Sequence, residues 1–321
     1  MDQVVMQLFN LVSQDERDIY LYQGSISREG YTQVCNHLAG KSKDRALLIL
    51  GTNGGDPNAG YRVARAFLNA YGAGNFAILV PGLCKSAGTL MCVAAAELII
   101  ADQGELGPLD IQVSKPDEMF QNGSGLDVLQ AIDYLETAAL NAFKRMLVDI
   151  NRGAGITTRS AASMAERLVS SLYQPVMSQI EPVRLGEMQR AINIAKLYGD
   201  RLNSYHEHLM PGALDRLIWN YPAHEFVIDR KEAGELFSGV REPTTQEAQM
   251  GNLSVAIAGN TWQTPPIVLN LTYQASTHFP QILMQDVQHS VPGEANGIPE
   301  GSDTTISAAS GTASEGEPVS A

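Results

Sequence analysis

The fold is decided by a stretch in which a fully apolar run leads into a glycine turn: ALLILGTNGGDP, Ala46–Pro57. A continuous apolar run of this length is typical of a strand that is buried on both faces, as in a parallel sheet. Asn53–Gly55 breaks the strand, and Asp56 can then cap a helix that has Pro57 at its first position, where an N–H is not needed. The stretch therefore predicts a strand–turn–helix unit.

The same pattern follows once more along the chain. Phe76–Val80 reads as a second buried strand, Ser86–Leu98 as a helix that is apolar nearly all round, and Ile99–Ala101 as a third short strand. Asp18–Ile26 alternates apolar and polar residues, as a half-buried strand does. Strands that alternate with helices predict an α/β fold with a largely parallel sheet and right-handed crossovers.

Beyond residue 110 the sequence becomes helical. Leu126–Ile150 carries a 3.6-residue apolar stripe, and further helices are expected at Thr158–Val169 and Arg184–Leu209, which predicts an added helical region. The predicted organisation is an N-terminal helical extension over 1–17, a main domain over 18–241, an acidic extension over 242–284 in which Pro265–Thr272 could form a strand, and a disordered tail over 285–321.

Composition excludes several classes of function. The net charge is −13, and residues 242–321 contain eight acidic side chains and no Lys or Arg, which leaves 27 acidic and 22 basic residues in 1–241. A nucleic-acid partner is not expected, because no basic stripe could neutralise phosphates. No integral membrane segment is expected, because no apolar run approaches about 18 residues. Three cysteines without CxxC spacing favour a reducing cytoplasm.

Two glycine-containing turns carry the chemistry, NGGD at Asn53–Asp56 and KSAG at Lys85–Gly88. They follow successive buried strands, and the carboxyl ends of parallel strands are where sites form. Ser86 stands at a helix start, where the Ala87 N–H can face an oxyanion and Gly54–Gly55 can bring a second backbone N–H. A nucleophile beside two such donors is what acyl transfer needs. Taken singly, the serine could be an ordinary helix cap and the glycine pair an ordinary turn.

The sequence resembles the Clp/crotonase superfamily, and is most similar to the family called serine dehydrogenase proteinases, relatives of signal peptide peptidase A and of the Clp proteolytic subunit. The resemblance covers most of residues 18–240, and its most specific motifs are KSAG and ELGPLD. It rests on GGDPNAGYRVARAF (Gly54–Phe67), VPGLCKSAGTLMCVAAAELIIADQGELGPLDIQ (Val80–Gln112), LYQPVMSQIEPVRLGE (Leu172–Glu187) and YPAHEFVIDRKEA (Tyr221–Ala233).

The resemblance implies a spiral of ββα units, a Ser86 nucleophile, an oxyanion hole from Gly55 and Ala87, and assembly into homo-oligomers. It leaves the general base open. Where the Clp proteolytic subunit has a histidine and then an aspartate, this chain has Asp110 and then His224. A Ser86–His224–Asp110 triad is one alternative.

The second alternative for the base follows signal peptide peptidase A, which uses a lysine. Lys115 could take that role, since burial would lower its pKa. Lys85 adjoins Ser86 in sequence, but its side chain is expected to point elsewhere.

Three functions follow from these residues. The first is a serine peptidase that acts on peptide or protein substrates. No cofactor or metal is expected for it, because no nicotinamide-binding GxGxxG and no ligand cluster such as HExxH is present. The second is a crotonase-like acyl-CoA enzyme with Asp110 as its base, and the third is a catalytically inactive scaffold that kept the fold.

Overall fold

The computed structural model describes residues 2–109, 112–114, 122–259 and 261–277. The strands in these ranges are β1 (Asp18–Gln23), β2 (Ala46–Gly51), β3 (Phe76–Val80), β4 (Leu83–Cys84), β5 (Glu97–Ile100), β6 (Glu105–Leu106), β7 (Gln112–Ser114), β8 (Asn122–Ser124), β9 (Val240–Arg241) and β10 (Ile267–Asn270). The helices are α1 (Asp2–Gln14), α2 (Arg28–Leu38), α3 (Pro57–Tyr71), α4 (Ala87–Cys92), α5 (Gly125–Ala154), α6 (Thr158–Met177), α7 (Pro182–Asn203), α8 (Ala213–Trp219), α9 (Arg230–Leu236) and α10 (Thr245–Ala258), and residues 271–277 are also helical.

The main sheet has the strand order β10-β1-β2-β3-β5-β9. Neighbouring strands from β1 to β9 pair in parallel, and β10 pairs with β1 in the antiparallel sense. Ile49 in the middle of β2 stands opposite Leu21 and Leu79. The predicted α/β class with a largely parallel sheet is therefore confirmed, and its strands are connected by helices as parallel pairing requires.

Short pairings continue beyond the carboxyl ends of the main strands. β4 and β6 form a parallel pair, with Cys84 opposite Leu106. Single bridges extend this row on both sides, from Thr52 to Cys84 and from Leu106 to Ile228. The loop after β2 and the turn before α4 are thereby held side by side, and a segment from far downstream is added to the same row.

The core lies on both faces of the main sheet because successive side chains of a strand point to opposite sides. On one face Leu48 and Ile78 pack in a cluster with residues of α3 and α4. On the other face Leu47 and Leu79 pack with residues of α1 and α10. Because helices cover both faces of the sheet, β2 and β3 are apolar at nearly every position.

Helix α3 has the end signals that the sequence predicts. Asp56 is its N-cap and accepts a hydrogen bond from the Asn58 N–H at 2.9 Å, with Pro57 in the first turn. Gly72 follows its last residue with a φ of 82°. The helix therefore begins directly after the Gly54–Gly55 loop.

The predicted helix Ser86–Leu98 is wrong in length. Helix α4 ends at Cys92, residues 93–94 form a turn, and β5 begins at Glu97 and pairs with β3. An unbroken apolar run does not distinguish a buried helix from a buried strand. Here the pairing of β5 with β3 decides between helix and strand. A helix that continued to Leu98 would leave the backbone groups on this side of β3 without hydrogen-bond partners.

The segment after Arg241 contains more structure than its sequence predicts. Helix α10 starts at a capping box formed by Thr244 and Glu247, and it packs beneath the sheet with α1. The strand predicted within Pro265–Thr272 is present as β10. The tail predicted over 285–321 lies outside the described residues.

Candidate active site

Ser86 lies in the sharp turn between β4 and α4, in a backbone conformation that serine rarely adopts. Its φ is 51° and its ψ is −113°, and Glu207 is the only other non-glycine residue of the described ranges with a positive φ. Such a conformation costs about 1–3 kcal/mol and persists only where the surrounding structure enforces it. The Ser86 side chain does not cap α4, so an ordinary capping role does not account for it.

Gly54 brings the backbone of the neighbouring loop directly against Ser86. A Cβ built on Gly54 would lie 2.8 Å from Ser86 Cβ and 3.3 Å from Ser86 Oγ, and the φ of Gly54 is 105°. Any larger residue would collide with the serine. The Gly54 N–H donates to Thr52 Oγ1 at 3.0 Å, and the Thr52 hydroxyl donates to Gly54 O at 3.2 Å. Gly54 thus contributes close approach, while its own amide is occupied.

The amides of Gly55 and Ala87 flank this contact. Gly55 forms a parallel β-bridge with Ile26. The two hydrogen bonds of this bridge involve the neighbours of Gly55: the Ile26 N–H donates to Gly54 O at 2.8 Å, and the Asp56 N–H donates to Ile26 O at 2.9 Å. Ala87 is the first residue of α4, where an N–H has no partner within the helix. Neither amide donates a hydrogen bond to any group in the described part of the chain.

A small apolar pocket adjoins Ser86. Its volume is about 10 Å³, roughly the space that one water-sized sphere occupies. It is lined by Pro57, Ser86, Ala87, Leu90, Leu109 and Ala195. Helix α7 contributes Ala195, whose side chain narrows the pocket. The space that these residues enclose beside the serine is therefore small and mainly apolar.

Lys85 precedes Ser86, but its side chain is engaged elsewhere, as the sequence predicts. It is 2% exposed, and its Nζ lies 2.7 Å from Glu105 Oε1. Nζ also donates to Leu106 O at 3.1 Å and to Phe226 O at 3.2 Å. An ammonium has three donors and no acceptor. All three donors are bound to groups other than Ser86, so this geometry does not position Nζ to take the proton of the serine.

His224 belongs to a segment that lies beside the site. Ile228 and Leu106 exchange two backbone hydrogen bonds of 2.9 and 3.0 Å. A Cβ built on Gly107 would lie 3.4 Å from His224 O, so the backbone of His224 is close to the strand that leads to Leu109 in the serine pocket. The structure therefore places the segment that contains His224 next to the site.

The other two base candidates, Asp110 and Lys115, lie outside the described residues. Within the described ranges, Gly54 contacts Ser86, and Gly55 and Ala87 are the next residues along the chain from these two. The sequence also predicts Gly54 as an oxyanion donor, but its N–H is already bound to Thr52 Oγ1. The distance from Ser86 to a base stays a prediction.

Two residues that shape the site, Thr89 and Ala195, are hard to identify from the sequence. Thr89 is fully buried. Its hydroxyl donates to Gly107 O at 2.8 Å and accepts from Gly107 N–H at 3.3 Å, which ties α4 to the segment that follows β6. A lone threonine within an otherwise apolar helix is the signal that could have found it. Ala195 closes the pocket from a position more than 100 residues away from Ser86, and no local pattern marks it.

Cys84 and Cys92 are fully buried beside this turn, with their Sγ atoms 3.8 Å apart. Burial, together with the neighbouring Cys84 thiol, raises the pKa of Cys92 well above its ordinary value. A protonated, buried thiol is a poor nucleophile. Cys84 is fully buried against Cys92 and is a packing residue, although it lies only two positions before Ser86.

The described residues contain no group of three or more His, Cys, Asp or Glu side chains arranged to hold a metal ion. None of the described helices is both long and apolar enough to cross a membrane. No protein-family model matches the chain, and no curated protein matches it either.

Proposed function

We propose that the chain is a cofactor-independent serine peptidase in which Ser86 attacks the carbonyl carbon of a peptide bond. The observation that carries this proposal is the strained backbone of Ser86, pressed against Gly54, with the amides of Gly55 and Ala87 alongside. A serine that needed only to cap α4 would not require a positive φ, and the cost of that conformation favours a role in chemistry.

The reaction follows from this arrangement. Ser86 Oγ forms a bond to the substrate carbonyl carbon while its proton passes to a general base, and the carbonyl oxygen becomes an oxyanion. The N–H groups of Gly55 and Ala87 donate to that oxygen. Collapse expels the amine, which takes up the proton, and water then hydrolyses the acyl-enzyme. Each oxyanion donor is worth about 10²–10³ in rate.

The position of the 224–228 segment beside Leu106 and Gly107 favours His224, with Asp110, as the base. Lys115 is the second candidate. His224→Ala and Lys115→Ala separate them, since loss of the true base lowers the rate of acylation about 10²–10⁴-fold and loss of the other residue does not.

Labelling with a fluorophosphonate probe tests the proposal. The full-length protein is expected to react once per chain at Ser86, identified by peptide mass spectrometry, and to degrade an unfolded protein such as casein. Ser86→Ala should abolish both activities, whereas the exposed-site control Ser178→Ala should retain them. Labelling that survives Ser86→Ala refutes the nucleophile. If neither labelling nor proteolysis occurs, the inactive-scaffold alternative is favoured.

We also propose the finer architecture, assembly and setting that the sequence predicts. The row of short pairings Thr52–Cys84–Leu106–Ile228 beside the main sheet supports a Clp/crotonase-type spiral of ββα units. Exposed large apolar side chains on α5–α7, among them Tyr134, Leu172 and Val183, support a homo-oligomer formed through these helices. Free thiols at Cys84 and Cys92 support a reducing, cytoplasmic setting. Sedimentation analysis of the full chain tests the assembly.

A further inference from the structure

Lys85 is a buried cation directly beside the proposed nucleophile, and the mechanism above does not use it. Its side chain is 2% exposed, and it is among the largest fully buried side chains of the described residues. Burial of an ammonium group costs several kcal/mol unless its donors are bound and its charge is paired. A methionine or leucine would fill the same space without this cost, so the lysine calls for an explanation.

The three acceptors of Lys85 lie on two segments that flank the serine turn. Glu105 supplies a carboxylate at 2.7 Å, and Leu106 supplies a backbone carbonyl at 3.1 Å. Both belong to β6, which leads through Gly107 to Leu109 in the pocket of Ser86. The third acceptor is the carbonyl of Phe226, 141 residues along the chain, at 3.2 Å.

Lys85, β6 and the segment that contains Phe226 also meet at Gly107. A Cβ built on Gly107 would lie 2.6 Å from Lys85 Cδ and 3.4 Å from His224 O. The lysine stem, the β6 strand and the backbone of His224 thus meet at one glycine, with no room for a side chain. Lys85 is the one residue in this group that is covalently attached to Ser86.

We infer that Lys85 is a positioning residue that fixes the 224–228 segment, and with it His224, relative to Ser86. This inference rests on the proposed function. The lysine touches no reacting atom. Its charged partner is Glu105, and the backbone of His224 approaches the same glycine, Gly107, as the lysine stem.

Lys85→Met is the direct test, because methionine keeps most of the stem and removes all three donors. Two quantities are measured on the full-length protein: the second-order rate constant for fluorophosphonate labelling of Ser86 between pH 5 and 9, and the hydrogen–deuterium exchange of a peptide spanning 222–229. We expect the labelling rate to fall at least tenfold, the midpoint of its pH profile to move, and the amides of 226–228 to exchange at least tenfold faster.

Glu247→Gln is the matched control, since it disrupts a buried ion-pair group formed with Arg17 and Arg241, away from the serine turn. It should lower the thermal midpoint without changing the labelling rate, its pH midpoint, or exchange in 222–229. If Lys85→Met does not fold, Gly107→Ala tests the same contact, because its methyl group would lie 2.6 Å from Lys85 Cδ and displace the lysine stem. It should lower the labelling rate and move its pH midpoint, and a wild-type rate with an unchanged midpoint would overturn the inference. Lys85→Arg keeps the positive charge. It should restore the midpoint of the labelling pH profile more fully than it restores the labelling rate constant.

The outcomes separate the two proposals. A folded Lys85→Met protein that labels at the wild-type rate, with an unchanged pH midpoint, overturns the positioning role and leaves the peptidase proposal standing. Wild-type protein that does not label at Ser86 overturns the proposed function and the positioning role together. Faster exchange in 222–229 with normal labelling reduces Lys85 to a structural residue and likewise overturns the inference.

Discussion

Acidification from pH 7 to pH 5 is expected to destabilise the protein by about 2 kcal/mol through one buried imidazole, His208. The ring is 1% exposed, and its Nε2 accepts a hydrogen bond from the Gly239 N–H at 3.1 Å. It also lies against Phe237, with ring centroids 5.4 Å apart. A proton on Nε2 would place two donors face to face and a charge in an apolar site.

The magnitude follows from the displaced pKa of this side chain. Burial, reinforced by the like charge of His206, lowers the pKa of His208 from 6.5 to about 4, against a smaller opposing effect of the Cys92 carbonyl. Between these two values the unfolded chain binds more protons than the folded one, so stability rises with pH. The contribution is complete above pH 6.5. It is reduced by about 2 kcal/mol at pH 5 and by about 3 kcal/mol at pH 4.

Urea denaturation at pH 7, 6 and 5, followed by circular dichroism, measures this loss. His208→Gln retains an acceptor near the Nε2 position and cannot become charged, so its free energy of unfolding should be lower at pH 7 but nearly flat down to pH 5. His206→Gln, at an exposed site, should keep most of the wild-type slope because burial is the larger cause. A wild-type protein equally stable at pH 7 and pH 5, or a His208→Gln protein with the wild-type slope, refutes the reasoning.

Three further predictions concern the ion pairs, the glycine loop and the pocket. Glu247→Gln should lower the free energy of unfolding, measured by urea denaturation at neutral pH, by about 3 kcal/mol, since it breaks buried ion pairs. Against the opposing effect of burial, hydrogen bonds from Arg241 and Arg17 lower the pKa of Glu247 from 4.5 to about 2, so the wild type keeps this contribution above pH 4.5 and loses it as the pH falls towards 2. Gly54→Ala should cut fluorophosphonate labelling more than tenfold, even where circular dichroism shows a folded protein, because its methyl group would meet the serine at 2.8 Å; normal labelling would contradict the contact. The 10 Å³ pocket should favour N-acetyl-alanine over N-acetyl-leucine p-nitrophenyl ester by at least tenfold in kcat/KM, and Ala195→Leu should lower the rate for both; equal rates for the two esters would contradict it.

The sequence was sufficient for β2, β3 and α3, because an apolar run bounded by Asn53–Gly55 and a capped, proline-started helix have few other solutions. It was also sufficient to bring Ser86 together with Gly54, since both follow neighbouring parallel strands. The length of α4 could not be predicted, because only the pairing of β5 with β3 shows where the apolar run changes from helix to strand. Local periodicity contains no such information.

The surroundings of the serine were harder to predict for a related reason. The bond from Lys85 to Phe226 spans 141 residues, and the closure of the pocket by Ala195 depends on how α7 packs. Both are set by tertiary structure. Helix α10, by contrast, had a readable signal in the Thr244–Glu247 capping box, which the acidic composition of the region obscured.

The antiparallel pairing of β10 with β1 has a consequence for how the chain can be shortened. Without β10, one side of β1 would present unpaired backbone groups from Tyr20 to Gln23. Such an open edge is a template for pairing with other chains and promotes aggregation. The opposite edge, β9, is only two residues long and offers little to pair with. A fragment that stops at Arg241 should therefore precipitate on expression, and a workable minimal fragment has to extend past Asn270.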